Sequence, residues 1–495
     1  MRAWKGIKEL PPSDPRSFFV LGGYHGEPFR GAGWGNSAFW GGYCQHGNVL
    51  FPIWHRIYLY KLEEALRSIP GCDEVILPFW DECSQDSLAN GIPWALTSET
   101  FDLDGQTIAN PLRSYIFQMN VVDQISGDNP NYSKPAGYET VRYPYSGLVG
   151  TADDRAATAQ HNAQWTYPQA VAVLNSNIAA WLNQQIVIDG RTVTTGVHQA
   201  YIDCLDAPNY TVFSNTTSAA EWNENAPLAV PLESPHNKIH LAVGGFDVPG
   251  VQDDSVIADA NGDMGENDTA ALDPIFYFHH CFVDRVFWLW QKRHGATDDL
   301  PVIDGYPGTN SADSQGATPG IPPNTWLSMD TPLEPFTLME NGKRRPYTGR
   351  DGFDVERQLG YSYGNGSLDD LGAVPAEAHS TAAPGNEPKV HVSGINRGHI
   401  SGSFVITAFA EIDGERKPIG SEAVLSRRNT DGCANCQTHL LAGASFPLHG
   451  LDAGQLGKDA IQVEVRTHEG LLGGQPHGLK ALTSGAQPRF RVEVR

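Results

Sequence analysis

The sequence predicts a mainly α protein, a four-helix bundle with long loops, followed by a smaller β-sandwich-like domain. Three observations carry this. Amphipathic helical patterns recur through the first two thirds of the chain. The composition then turns small and polar around residues 364–388. Beyond that point the hydrophobic period changes from about 3.6 to 2.

In chain order, "RIYLYKLEEALRSI" (56–69) reads as an amphipathic helix. "PQAVAVLNSNIAAWLNQQI" (168–186) aligns Val171, Leu174, Ile178, Trp181 and Leu182 on one face. "SPHNKIH" (234–240), if helical, adds a shorter helix. "DPIFYFHHCFVDRVFWLWQKRHG" (273–295) is the most complete. Asp273 suits the N-cap and Pro274 the first turn. Lys292, Arg293 and His294 suit the negative end of the dipole, and Gly295 the cap after it. Gly/Pro/Asn-rich connections such as 299–335 separate these helices. "GNGSLDDLGAVPAEAHSTAAPGNEP" (364–388) reads as a linker, and "KVHVSG", "SFVITAFAEI", "IQVEVRTH" and "RFRVEVR" alternate as strands do. The expected division is 1–365, a linker over 366–388, and 389–495.

The 495 residues are too many for one ordinary core, and 40% hydrophobic content is enough to fill two. No run reaches the roughly 18–20 apolar residues of a membrane span, and the N-terminus has no continuous apolar core of a signal peptide. With seven cysteines, an odd and sparse set, a reducing, cytoplasmic setting is the expectation. A net charge of −23 without a basic stripe argues against nucleic acid or anionic membrane as partners. Oligomeric state is open, a homo-oligomer included.

Histidines carry the chemistry. His236 and His240 stand at i and i+4, which on a helix puts both rings on one face. His279 and His280 lie among Phe, Tyr, Val and Trp, where a buried imidazole needs partners for its nitrogens. His25, His46 and His55 add three more. Two sets of three imidazoles on a helix bundle can hold two metal ions. All-imidazole ligation suits copper, zinc, iron or nickel, and spacing alone does not choose among them or between His279 and His280.

Two stretches go further. "HGNVLFPIWHR" (46–56) has the form H-x4-F-P-x-W-H-R, with Glu63 eight residues on. "DPIFYFHHCFVD" (273–284) has the form D-P-x-F-aromatic-x-x-H-x3-D. Together they resemble the two copper signatures of the type 3 copper proteins: tyrosinases, catechol oxidases and molluscan-type haemocyanins. The resemblance covers about residues 20–365 and includes "YSY" (361–363). It implies two coppers, with His25, His46 and His55 on the first and His236, His240 and His280 on the second, leaving His279 as a packing residue. It implies O2 as co-substrate and a small phenol as partner. The activity implied is ortho-hydroxylation of monophenols and oxidation of o-diphenols to o-quinones. The alternatives are an o-aminophenol or catechol oxidase, or a haemocyanin-like O2 carrier. Cys44, two before His46, matches family members with a cysteine–histidine thioether. Glu233 and Asn237 resemble a pair that holds a water able to deprotonate a monophenol. Leu241 would form an apolar pocket wall, and Asn267 a polar pocket mouth favouring polar phenols or aminophenols. Residues 389–495 resemble a C-terminal lid over the copper site. Cys433 and Cys436 form a CxxC whose soft thiolates suit copper loading.

Overall fold

The computed structural model describes residues 1–26, 42–122, 133–248, 261–310, 321, 325–373, 388–431, 440–451, 460–468, 470–472 and 490–494. Five helices position the site: α1 (Phe18–His25), α2 (Phe51–Arg67), α3 (Tyr167–Leu182), α4 (Glu233–Gly244) and α5 (Ile275–Arg293). Three of them begin for a plain local reason. Ser17 caps α1 by accepting from Val20 N. Pro52 sits in the first turn of α2, where its missing N–H costs nothing. Asp273 accepts from Ile275 N at 3.1 Å and so opens α5, while Gly295 ends it at φ 63°. All twelve residues of α4 and nearly all of α5 are buried, so these two form the bundle's centre.

The expected helix over 168–186 stops short. It ends at Leu182, and Gln185–Ile188 pairs with Arg191–Thr194 as a hairpin turning at Asp189-Gly190, both at positive φ. The β-branched run Ile186-Val187-Ile188 and the Asp-Gly turn outweigh continued helix.

The C-terminal part is two antiparallel sheets built from β1 (Lys389–Asn396), β2 (Phe404–Ile412), β3 (Glu415–Val424), β4 (Leu441–Pro447), β5 (Ile461–Thr467), β6 (Gly470–Leu472) and β7 (Arg491–Val494). One sheet has the order β4-β1-β7, the other β6-β5-β2-β3. Val390, Val392, Ile406, Ala408, Phe446 and Val465 fill the space between them, as a sandwich requires. The fold is thus mainly helical with a small C-terminal sheet region.

The two parts interpenetrate. Ile186 and Ile188 of the hairpin join the sandwich core, and Val405, Ala423 and Leu425 of the sandwich join the bundle core. The first part of the expected linker is also docked. Asp369–Ala373 is helical, Asp369 pairs with Arg285, and Leu371 O accepts from Arg293 at 2.8 Å. Among the described residues no helix is long and apolar enough to cross a membrane.

Candidate metal centre

The non-histidine residues of the two signatures fasten their helices together. Arg56 of α2 donates through Nε to Asp284 Oδ1 of α5 at 2.6 Å, and through Nη1 to Gln291 and Gly352 O, each at 2.8 Å. Tyr361 and Tyr363, from "YSY", both donate to Asp284 Oδ2. This buried node sits one residue after His55 and four after His280. It fixes the two helices whose imidazoles stack at 4.6 Å, 18° between planes.

Six imidazoles gather at this level. The rings of His25, His46 and His55 lie 5.2–5.6 Å apart, and those of His236, His240 and His280 4.5–5.5 Å apart. The sets adjoin, with His46 and His236 at 5.7 Å. Their hydrogen bonds fix the tautomers. His55 Nδ1 faces Phe51 O at 2.8 Å, His240 Nδ1 faces Met264 O at 2.8 Å, and His236 Nδ1 faces Asn237 Oδ1 at 2.9 Å. A carbonyl can only accept, so the Nδ1 of His55 and of His240 must donate, and with the Asn237 amide oxygen turned towards it His236 Nδ1 donates as well, which leaves each Nε2 as a bare lone pair. His55 Nε2 is buried without a hydrogen-bond partner. His236 Nε2 and His240 Nε2 both lie 3.2 Å from His280 Nε2, where one proton at most could serve two acceptors. Converging lone pairs in a dry interior are repulsive unless a cation sits among them, so the residues fit metal ions.

Burial also keeps the rings neutral. It pushes His55 down to about 3, and His25, His236, His240 and His280 well below the ordinary histidine value, with neighbouring imidazoles adding to the effect. Neutral imidazole is the metal-binding form. The donor atoms group as His236, His240, His279 and His280, and separately as His25, Cys44 and His46, within 4.8 Å in each group.

Sequence reading left His279 as packing. The structure gives it a partner no pattern had marked. His279 Nδ1 meets Glu82 Oε1 at 2.6 Å, and Glu82 Oε2 accepts from Tyr201 OH at 2.7 Å, all fully buried. An acidic residue inside the apolar run "ILPFWDEC" was the available signal.

Glu233 is 2% exposed and ties three segments. Oε1 accepts from Gly47 N at 2.8 Å, and Oε2 from Thr216 N and Oγ1 at 2.8 and 2.9 Å. Burial raises its pKa against those bonds. Glu233, Asn237 and His46 line one cavity of about 40 Å³ with Arg397, Val424 and Leu425 of the C-terminal sandwich. Leu241 and Asn267 are not among its lining residues. Leu241 is fully buried, and Asn267 points Nδ2 at Cys44 Sγ, 3.7 Å away. Burial raises the Cys44 thiol, with Arg427 and Asn267 opposing. Cys433 and Cys436 lie outside the described residues.

A profile of the common central domain of tyrosinase matches residues 15–293. The chain belongs to the tyrosinase family. It is 54% identical over 496 residues to tyrosinase HcTyr2 of Hahella sp., covering 95% of this chain and 88% of that one. It is 45% identical to a tyrosinase of Aspergillus oryzae, covering 96% and 91%. Among solved structures it superposes on the tyrosinase of Burkholderia thailandensis at low pH with a TM-score of 0.81 and 48% identity, over 99% of this chain and 95% of that one. The tyrosinase family is a binuclear copper family, and this member is a copper-dependent phenol oxidase whose two histidine-rich groups suit copper.

Proposed function

We propose that the enzyme uses O2 to hydroxylate monophenols at the ortho position and to oxidise o-diphenols to o-quinones. The convergence of two imidazole triads with their Nε2 lone pairs facing inward carries this reading. His25, His46 and His55 would hold one copper, and His236, His240 and His280 the other. When bound, the copper pair supplies O2 activation and two-electron oxidation.

The chain's own residues do the rest. The Phe51 and Met264 carbonyls and the Asn237 amide hold three rings in the ligating tautomer. Cys44, with its sulfur in the group that includes His46, would form a C–S bond to that ring, losing the thiol hydrogen and a ring C–H hydrogen with two electrons to O2, and so remove the ring's rotation. A phenol has an ordinary pKa near 10 and must shed its proton to bind a metal well. Glu233 and Asn237, side by side on the cavity wall, would hold the water that takes it. Glu233 Oε1, which accepts from Gly47 N, keeps a second lone pair for that water, whereas Thr216 N and Oγ1 fill Oε2.

Access would be governed by the C-terminal sandwich. Val424 and Leu425 line the cavity that His46 also lines, and its volume of about 40 Å³ admits a few waters rather than a phenol ring. This supports a lid that must shift before substrate enters. Cys433 and Cys436 would serve copper delivery.

The test is copper quantification with an optical spectrum under O2, then turnover of a monophenol and its diphenol before and after the sandwich is displaced. Two coppers per chain, an O2-dependent absorption band and turnover of both phenols are expected. Reversible O2 uptake without diphenol turnover by either form would instead make it a carrier. Diphenol turnover alone would make it a catechol oxidase.

A further inference from the structure

One buried segment, residues 263–268, touches both triads. Its Met264 carbonyl accepts from His240 Nδ1, fixing a ligand of the second triad. Its Asn267 side chain meets Cys44 Sγ, in the first triad's group, at 3.7 Å. It packs so closely on Gly26, directly after His25, that a β-carbon there would overlap the carbonyls of Asn267 and Asp268. At Gly244 a β-carbon would collide with Gly265 N, so the segment also lies against the end of α4.

One end of this segment is tied to the bundle by the Asp263 side chain. Asp263 Oδ2 accepts from Tyr138 OH at 2.6 Å and Val141 N at 2.8 Å, with Lys134 Nζ 3.7 Å from Oδ1. The other end is held from across the interface. Ser403 Oγ, before β2, donates to Gly265 O at 2.8 Å. Arg427, after β3, pairs with Asp268, both side chains only 2% exposed, and also approaches Cys44. Ser403 Oγ is itself fixed, accepting from Ser426 N at 2.9 Å.

We propose that Ser403 and Arg427 of the C-terminal sandwich are positioning residues of the dicopper centre, acting through residues 263–268 on ligands of both triads. The seated sandwich then not only covers the metals but sets how tightly they are held. Lifting it removes the hydroxyl donor to Gly265 O and takes from Asp268 its cationic partner, so the segment must relax. The His240 tautomer and the Asn267–Cys44 contact relax with it. This rests on the proposed ligand set.

A lid and a positioning element differ at equilibrium. Uncovering a site speeds copper entry and exit alike and leaves the affinity unchanged. Loosening the groups behind the ligands weakens the affinity, typically about 10–100-fold. The experiment is equilibrium partition of copper between the full chain and a chelator of known affinity, for wild type, Ser403→Ala, Arg427→Gln and Asp268→Asn. Arg416→Gln, which disturbs contacts within the sandwich alone (Glu464, Gln462 and the Phe409 ring), serves as control. The expected result is affinity weakened about tenfold or more in the three segment variants and not in the control, with an altered copper absorption spectrum. Affinities equal to wild type, with faster exchange alone, would overturn the proposal and leave a simple lid. Ser403→Ala removes one hydroxyl and decides the matter if Arg427→Gln fails to fold. Wild-type protein that takes up fewer than two coppers would instead sink the ligand assignment itself.

Discussion

Asp284→Asn tests whether the signature residues beside the histidines hold the site together. Asp284 and Arg56 are 2% and 0% exposed, with Oδ1 and Nε 2.6 Å apart. At an effective dielectric of about 20, that separation corresponds to roughly 6 kcal/mol of attraction. Desolvation consumes much of this, so the pair as a whole adds little, but removing one charge strands the other. Arg56 would keep Gln291 and Gly352 O and lie 4.0 Å over the Phe287 ring, without an anion. The expected loss is about 3–5 kcal/mol in denaturant unfolding of the metal-free chain. Arg56→Met with Asp284→Leu should cost less than the sum of the singles, because both charges leave together. Copper affinity should fall too, since the pair sets the distance between α2 and α5, which carry His55 and His280. A loss under about 1 kcal/mol for Asp284→Asn, or strict additivity in the cycle, would refute this account.

Other expectations follow from the same site. His280→Gln should lower copper from two per chain towards one and abolish the O2-dependent band, measured by metal analysis and optical spectra. Glu233→Gln should cut monophenol turnover by about 10²-fold or more while changing diphenol oxidation far less, read as separate kcat/KM values. Cys44→Ser should abolish the cross-link, seen as the return of two hydrogens to the His46 peptide mass. For metal-free protein the pH dependence has a definite sign. The unfolded chain protonates its histidines near 6.5, whereas His55 in the fold resists until about 3 and its neighbours are depressed likewise. Stability should therefore fall as pH drops from about 6.5 to 3, and bound copper should move that loss to lower pH, followed by thermal unfolding.

The helices and the histidine level were readable because their signals are local. The cap at Asp273 and the i, i+4 spacing of His236 and His240 need only a few consecutive residues. The hairpin at 185–194 was absorbed into a helix because Gln184 and Gln185 carry no strong break, and its Asp-Gly turn lies beyond the window. Glu82 was missed because its partner His279 is 197 positions away. Met264 acts through its carbonyl, which every residue possesses, so no residue type could mark it. The sulfur that faces Asn267 belongs to a residue 223 positions away, which no local spacing can mark.

The hairpin that gives Ile186 and Ile188 to the sandwich core has a mechanical consequence. A protease nick between bundle and sandwich would sever the covalent tether yet leave two isoleucines plugged into the cap. The cut enzyme should therefore travel as one particle, and full opening should demand a force on that plug, such as detergent or a competing surface, rather than hydrolysis of a single peptide bond.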